Sequence, residues 1–256
     1  MLTHQESPNW RRNALRPSER FKCPLYIYIP DLFSESEAEG SVSSTPNESR
    51  KNEIVVYQQQ EPSVNVLWDA CTCLMGYFSA YARGLTELAP EPLNIVEIGA
   101  GTGALSIALG KYLRPEDTIY VTDMEDEIPL LQKNIDANPR KDNEASVVPL
   151  ALDWTSETDL QKLKDRCGKI DYIIGTDVVY EIQHFPLLVQ VLSQLADSDT
   201  VFIMAMEHRW KDVEQDWWKL MKRAGWSWSL YEKQESFWWE HVKEIDIYFI
   251  QKRRKV

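Results

Sequence analysis

Positive charge is in short supply in this chain: 28 lysines and arginines stand against 40 aspartates and glutamates, a formal charge of −12. Non-specific nucleic-acid binding is built from cations that neutralise backbone phosphates. No nucleic-acid partner is therefore expected, whereas a basic protein could be drawn to such a surface. Cysteine is scarce too. The four cysteines, Cys23, Cys71, Cys73 and Cys167, match no four-ligand zinc spacing, and a chain of this size does not need disulfide staples. Cys71 and Cys73 fall within an apolar helical stretch and read as small buried hydrophobes, so no metal is expected. No apolar run approaches the roughly 18 residues of a membrane span. The first twelve residues are polar and lack an apolar run of signal-peptide type. The expectation is a soluble protein with reduced thiols, without a membrane partner, working as a monomer in the cytoplasm or also in the nucleus. Lys252-Arg253-Arg254-Lys255 reads as a solvated tail, with a nuclear-import signal as the alternative. There is no internal repeat.

What is present is enough apolar sequence, 43% of 256 residues, to bury one full core. Residues 1–20 read as a flexible extension. Leu25-Tyr26-Ile27-Tyr28-Ile29 and residues 53–59 read as two strands of an N-terminal β-hairpin within residues 21–60. Between them, 34–52 is dense in Ser, Glu and Asn and has too little to bury, which predicts a disordered loop. The remainder, 61–256, reads as the main domain. Leu67, Ala70, Cys71, Leu74, Phe78 and Tyr81 recur at three- and four-residue steps, the signature of a helix over 66–85 with one buried face.

Beyond it, strands at 93–98, 118–123, 146–151, 170–175 and 200–206 alternate with helices at 103–113, 126–137, 158–166, 184–196 and 211–224. Such alternation predicts an α/β fold, a parallel sheet with helices on both faces. Strands at 226–233 and 244–251 have no helix between them and should form an antiparallel edge, bringing the sheet to seven strands.

The chemistry concentrates where strands end. Leu93-Asn94-Ile95-Val96-Glu97-Ile98 runs into Gly99-Ala100-Gly101-Thr102-Gly103-Ala104 and then a helix. Gly99, Gly101 and Gly103 let the chain turn tightly and bring bare backbone against a ligand. The loop alone suits a nicotinamide dinucleotide as well as S-adenosylmethionine. Glu97, two residues before the first glycine, is placed to hold an ammonium, for which a pyrophosphate has no use. Asp123 ends the second strand of the alternating series and is placed for ribose hydroxyls. Asp153 and Trp154 close the third, where a carboxylate and an indole would suit adenine. No Tyr-x-x-x-Lys pair or other hydride-transfer constellation is present. His184 and His208 also lie near strand ends and are candidate bases. Trp217-Trp218 and Trp238-Trp239, with Trp226 and Trp228, read as packing at the antiparallel edge, a peptide-binding lip being the alternative.

These residues resemble the seven-β-strand methyltransferases, and more narrowly the family-sixteen protein-lysine methyltransferases. The resemblance covers roughly 66–248. It rests on Trp68-Asp69-Ala70, Glu97 with the three glycines, Asp123, Asn134 with Asn138, Leu152-Asp153-Trp154, and Gly175-Thr176-Asp177-Val178-Val179-Tyr180. It implies a Rossmann-like sheet and S-adenosylmethionine as cofactor, leaving S-adenosylhomocysteine. It also implies a lysine of a protein substrate as acceptor, such as a chaperone or a translation factor. A histidine, an N-terminal amine or a small molecule is the alternative acceptor. By the same resemblance Trp68, Glu97, Gly99, Gly101, Gly103, Asp123, Asp153, Trp154 and Thr176 bind the cofactor, and Asp177 and Tyr180 form the acceptor channel as the catalytic pair. A lysine amine has an ordinary pKa of about 10.4 and must lose a proton before it attacks. Asp177 alone would oppose that loss by favouring the charged amine.

Overall fold

Strands that read as unbroken apolar runs lie between two layers of helices, because each is buried on both faces. The computed structural model describes residues 25–28, 53–59, 66–231 and 244–253. The expected 1–20 extension and 34–52 loop, Cys23, the Trp238-Trp239 pair and the last three residues lie outside the described residues.

In chain order come β1 (Leu25–Tyr28), β2 (Glu53–Val56), α1 (Asp69–Glu87), β3 (Asn94–Ile98), α2 (Ala104–Gly110), β4 (Thr118–Asp123) and α3 (Ile128–Ala137). They are followed by β5 (Ser146–Ala151), α4 (Glu157–Cys167), β6 (Tyr172–Thr176), α5 (Phe185–Leu195), β7 (Val201–Glu207), α6 (Lys211–Arg223), β8 (Trp226–Leu230) and β9 (Ile245–Lys252).

The main sheet has seven strands in the order β5-β4-β3-β6-β7-β9-β8. The first five are mutually parallel, while β9 pairs antiparallel with both β7 and β8. The alternating pattern and its antiparallel edge are thus realised as the sequence implies. β1 and β2 pair antiparallel in a separate two-stranded sheet.

Successive residues of each central strand feed opposite layers, as the pleat requires. Ile95, Ile174 and Ile203 pack with α1 and α2, whereas Val96, Ile173 and Phe202 pack with residues of α4, α5 and α6. Trp217 and Trp226 are fully buried in the second layer, and Trp218 stacks on Trp228 with ring centroids 4.5 Å apart. The described tryptophans at this edge therefore serve packing, each fully buried large side chain contributing roughly 1.5–3 kcal/mol. Cys71, Cys73 and Cys167 are buried thiols outside any disulfide, consistent with the apolar pattern around them.

Element boundaries depart from the sequence expectation by up to three residues, as where the helix expected from 66 begins at Asp69. The helix expected over 103–113 ends at Gly110, where i→i+3 bonds from Lys111 and Tyr112 close the last turn. The chain there turns against β5, and a Cβ at Gly110 would come within 3.2 Å of Val147 Cγ2. Of the strand expected over 226–233, Trp226–Leu230 is strand and Tyr231 N–H bonds to the Ile247 carbonyl (2.8 Å), while 232–233 lie outside the described residues.

β2 is docked by side chains as well as by β1. Asn138 receives the Val55 N–H (2.8 Å) and donates to the Val55 carbonyl (2.7 Å). One turn earlier on α3, Asn134 receives the Tyr57 N–H (2.7 Å) and donates to the Tyr57 carbonyl (3.0 Å). The i, i+4 spacing of the two amides on the helix matches the i, i+2 spacing of backbone groups along the strand.

Candidate functional site

The parallel strands all end on one side of the sheet, and β3 is the point from which successive connections diverge, to β4 on one hand and β6 on the other. A crevice outside the carboxyl ends of the strands at such a point is where ligands bind in open α/β sheets. The residues singled out in the sequence converge there. Gly99, Gly101 and Gly103 have φ of 60°, 55° and 71°, left-handed values that other residues rarely adopt. Space is also short. A Cβ on Gly99 would lie 3.0 Å from Val178 Cγ1, across the divergence point, and one on Gly103 would lie 2.8 Å from Leu131 Cδ2.

The loop is tied to its surroundings from three sides. Ala100 N–H donates to the Thr122 carbonyl (3.0 Å), and Gly101 N–H donates to Asp123 Oδ2 (2.7 Å). Asn134 donates to the Thr102 carbonyl (2.8 Å). Asp123 takes a second bond from Met124 N–H (2.8 Å), and burial raises its pKa against the pull of these two donors. A carboxylate has about four acceptor positions, so two donors leave room for ligand hydroxyls.

Glu97 lies beneath the loop, only 2% exposed. Burial pushes its pKa up to about 8, with the Ser106 hydroxyl opposing that shift and the charge of Asp123 adding to it. Ser106 Oγ donates to Glu97 Oε2 in a very short contact. Asp153 Oδ1 accepts from the N–H (2.8 Å) and hydroxyl (2.7 Å) of Thr155, a local turn that fixes the carboxylate at the end of β5. Trp154 meets the His184 ring edge-on, centroids 6.5 Å apart, and lies beside Gly99.

The second half of the site sits at the tips of β6 and β7. Thr176 ends β6, and Asp177 follows with φ of 52°, alone among the described non-glycine residues in having a positive φ. Strain of this kind persists where surrounding bonds over-determine it, and here they do. Asp177 Oδ1 accepts from Glu207 N–H (2.9 Å), and Oδ2 pairs with Arg209 Nη2 (3.1 Å). Burial raises the Asp177 pKa to about 6. The Glu207 N–H and the Arg209 charge oppose that rise, while the Glu207 and Asp69 charges add to it.

Arg209 Nε donates to Glu207 Oε2 (2.8 Å), its Nη2 contacts the same oxygen, and its guanidinium carbon lies 4.9 Å from the centre of the Trp68 ring. Tyr180, 43% exposed, and Trp210, 55% exposed, line a cleft with Asp177, Glu207, Arg209 and Glu214. Burial raises the pKa of Tyr180, with the charges of Glu181 and Asp123 adding to the effect. The phenol is accordingly neutral and can present a ring face or a hydroxyl.

The two histidines part company. His184 pairs with the neighbouring Glu181 (3.3 Å) against Trp154. His208 is held by Glu214 (2.8 Å) and Asp246 (2.9 Å), one on each ring nitrogen, with the Tyr248 hydroxyl at 3.4 Å. Burial opposes its protonation, yet the two carboxylates prevail and its pKa is raised.

Sequence reasoning passed over Arg209, Glu207 and Ser106. Glu207 closes β7 and Arg209 follows it, so the rule that drew attention to the other strand tips also pointed to this one. Nothing local marked Ser106, which meets Glu97 from the facing turn of α2.

A family model described as lysine methyltransferase matches residues 48–224. The chain is 29% identical over 153 residues to the protein N-lysine methyltransferase METTL21A of Danio rerio, covering 59% of this chain and 63% of that one. It is 30% identical over 146 residues to the EEF1A lysine methyltransferase 3 of Xenopus tropicalis, covering 56% and 57%. The chain thus spans about three fifths of the length of these relatives. A solved structure of a putative SAM-dependent methyltransferase from Streptococcus mutans superposes with a TM-score of 0.51 at 12% identity, over 78% of this chain and 53% of that one. That likeness concerns the fold.

Proposed function

The chain belongs to the lysine methyltransferase family, and on that premise we propose that it transfers a methyl group from S-adenosylmethionine to a lysine side chain of a protein. The observation that carries the proposal is the meeting, at one end of the sheet, of a glycine-rich loop with the Asp177–Tyr180 cleft.

The residues fit the cofactor. Glu97 and the Gly99 backbone would take its methionine end, Asp123 its ribose, and Asp153 and Trp154 its adenine, with Gly101, Gly103 and Thr176 shaping the walls and Trp68, whose ring faces Arg209, near the cofactor. When bound, the cofactor supplies a methyl group already activated on a sulfonium. Alignment is then the main task of the chain, bringing nitrogen within about 3–3.5 Å of the methyl carbon. Tyr180 and Asp177 are placed to orient the acceptor by cation–π contact and hydrogen bonding. With the cofactor bound, these residues would hold a neutral acceptor nitrogen in line with the methyl group, so that S-adenosylhomocysteine would be the product left behind.

The proposal extends to a single subunit acting in the cytoplasm or nucleus, where thiols such as the buried Cys71, Cys73 and Cys167 stay reduced.

The test is to incubate the purified protein with methyl-labelled S-adenosylmethionine and an extract of cells lacking it, then locate the label by mass spectrometry. Label on a lysine of a protein is the expected result. Label confined to small metabolites would move the acceptor to another class, and no measurable affinity for S-adenosylhomocysteine by calorimetry would remove the proposal altogether.

A further inference from the structure

Arg209 is gripped in a way that a surface arginine is not. Its edge faces carboxylates from two adjacent strand tips, Asp177 after β6 and Glu207 at the end of β7, and its face lies against Trp68 just before α1. Among the described residues that line the cleft it is the one cation, beside Asp177, Glu207 and Glu214. Glu214 of α6 is engaged elsewhere, by His208 and by the N–H groups of Arg209 (3.0 Å) and Trp210 (3.3 Å). From α1, Asp69 adds a further negative charge felt at Asp177.

Without Arg209 this would be a strongly acidic cleft, which would attract an ammonium and then hold it to its proton. We infer that Arg209 is a positioning residue for the acceptor: shared between Asp177 and Glu207, it offsets part of their charge, so that an arriving amine meets a less acidic cleft and gives up its proton more readily. The inference rests on the proposed transfer to lysine. Asp177 keeps its orientation and its remaining lone pairs for an acceptor N–H, because Glu207 N–H holds the other oxygen. The charge that would oppose deprotonation is answered at 3.1 Å.

The test compares the native protein with Arg209→Met and Arg209→Lys, using methyl-labelled S-adenosylmethionine and a heat-treated extract of cells lacking the enzyme. In Arg209→Met, the pH of half-maximal labelling should rise by about one unit, so that labelling falls roughly tenfold near neutrality and recovers toward pH 9.5. Arg209→Lys should restore part of the profile. Affinity for S-adenosylhomocysteine should be unchanged.

A second readout needs no turnover. The Asp177 carboxyl, followed by carbon NMR of aspartate-labelled protein and assigned through Asp177→Asn, should titrate higher in Arg209→Met than in the native protein. A loss of labelling equal at every pH, or an unmoved Asp177 titration in a folded Arg209→Met protein, overturns the inference. If the native protein labels no protein lysine, the proposed function fails and the inference falls with it, whatever the titration shows.

Discussion

The side-chain amide of Asn134, on α3, donates to the backbone carbonyl of Thr102 in the glycine loop at 2.8 Å while the same side chain grips Tyr57 after β2. One buried residue thereby joins the N-terminal strand pair to the ligand-binding loop. Asn138, one turn on, holds Val55 and its own helix, with no bond to the loop.

The two asparagines should therefore separate on substitution. Asn134→Ala leaves three backbone groups without their partner, at about 1–3 kcal/mol for each that stays buried and unsatisfied. It should lower the melting temperature and also weaken S-adenosylhomocysteine binding. Asn138→Ala should lower the melting temperature alone. Equal affinity for the ligand in both variants, measured by calorimetry, would show that the Thr102 contact does not shape the loop.

Glu97 leads to a prediction in which pH reports the role of the carboxylate. With its pKa raised to about 8 by burial, the empty protein holds this carboxyl protonated at neutrality, and an ammonium would bind its ionised form. Affinity for S-adenosylhomocysteine should rise as pH is raised from 6.5 toward 8. Glu97→Gln should remove that rise and lower affinity on the order of tenfold or more, the worth of a charge-assisted hydrogen bond. A native protein whose affinity does not change with pH would argue against an ammonium at Glu97.

Asp177 carries a stability signature of its own. Its folded pKa, about 6, lies above the ordinary value of 3.8, so its contribution to stability is fully present below the ordinary value and is lost as pH rises through 6. Asp177→Asn should abolish methyl transfer and spare cofactor binding. Its melting temperature relative to the native protein should be higher at pH 7.5 than at pH 5. Melting curves that shift in parallel at both pH values would mean that the carboxyl is not strained by burial.

His208 supplies the companion case with a cationic group. Burial disfavours its charge, but Glu214 and Asp246 raise its pKa above the ordinary 6.5. Stability gained from the charged ring is complete below about 6.5 and disappears as pH climbs through the raised value. His208→Gln should cost more stability at pH 6 than at pH 9 in thermal melts. The opposite order would mean that the two carboxylates do not hold a protonated ring.

Much of this site was legible in the chain because ligand sites in parallel sheets lie at strand ends, and strand ends can be read from apolar runs that stop. Gly99, Gly101, Gly103, Asp123 and Asp153 were found by that reasoning, whereas Asp177 and Tyr180 came from the family resemblance. Their partners were harder to see. Asp177 reads in sequence as a carboxylate open to an arriving amine, whereas the structure pairs it with Arg209, 32 positions away. Asn134 and Asn138 read as a spaced pair on a helix, with nothing to show that they clasp strand backbone 77 and 83 residues earlier.

The alternation of elements, the antiparallel edge and the positions of the glycine turns can be read from residue order, since these follow from local periodicity and from backbone preferences of single residues. Which charges face one another is settled by folding: Arg209 between Asp177, Glu207 and the Trp68 ring, His208 between Glu214 and Asp246, Glu97 against the Ser106 hydroxyl. Pairing energies and pKa shifts depend on distance and burial, and those arise from packing between elements far apart in the chain.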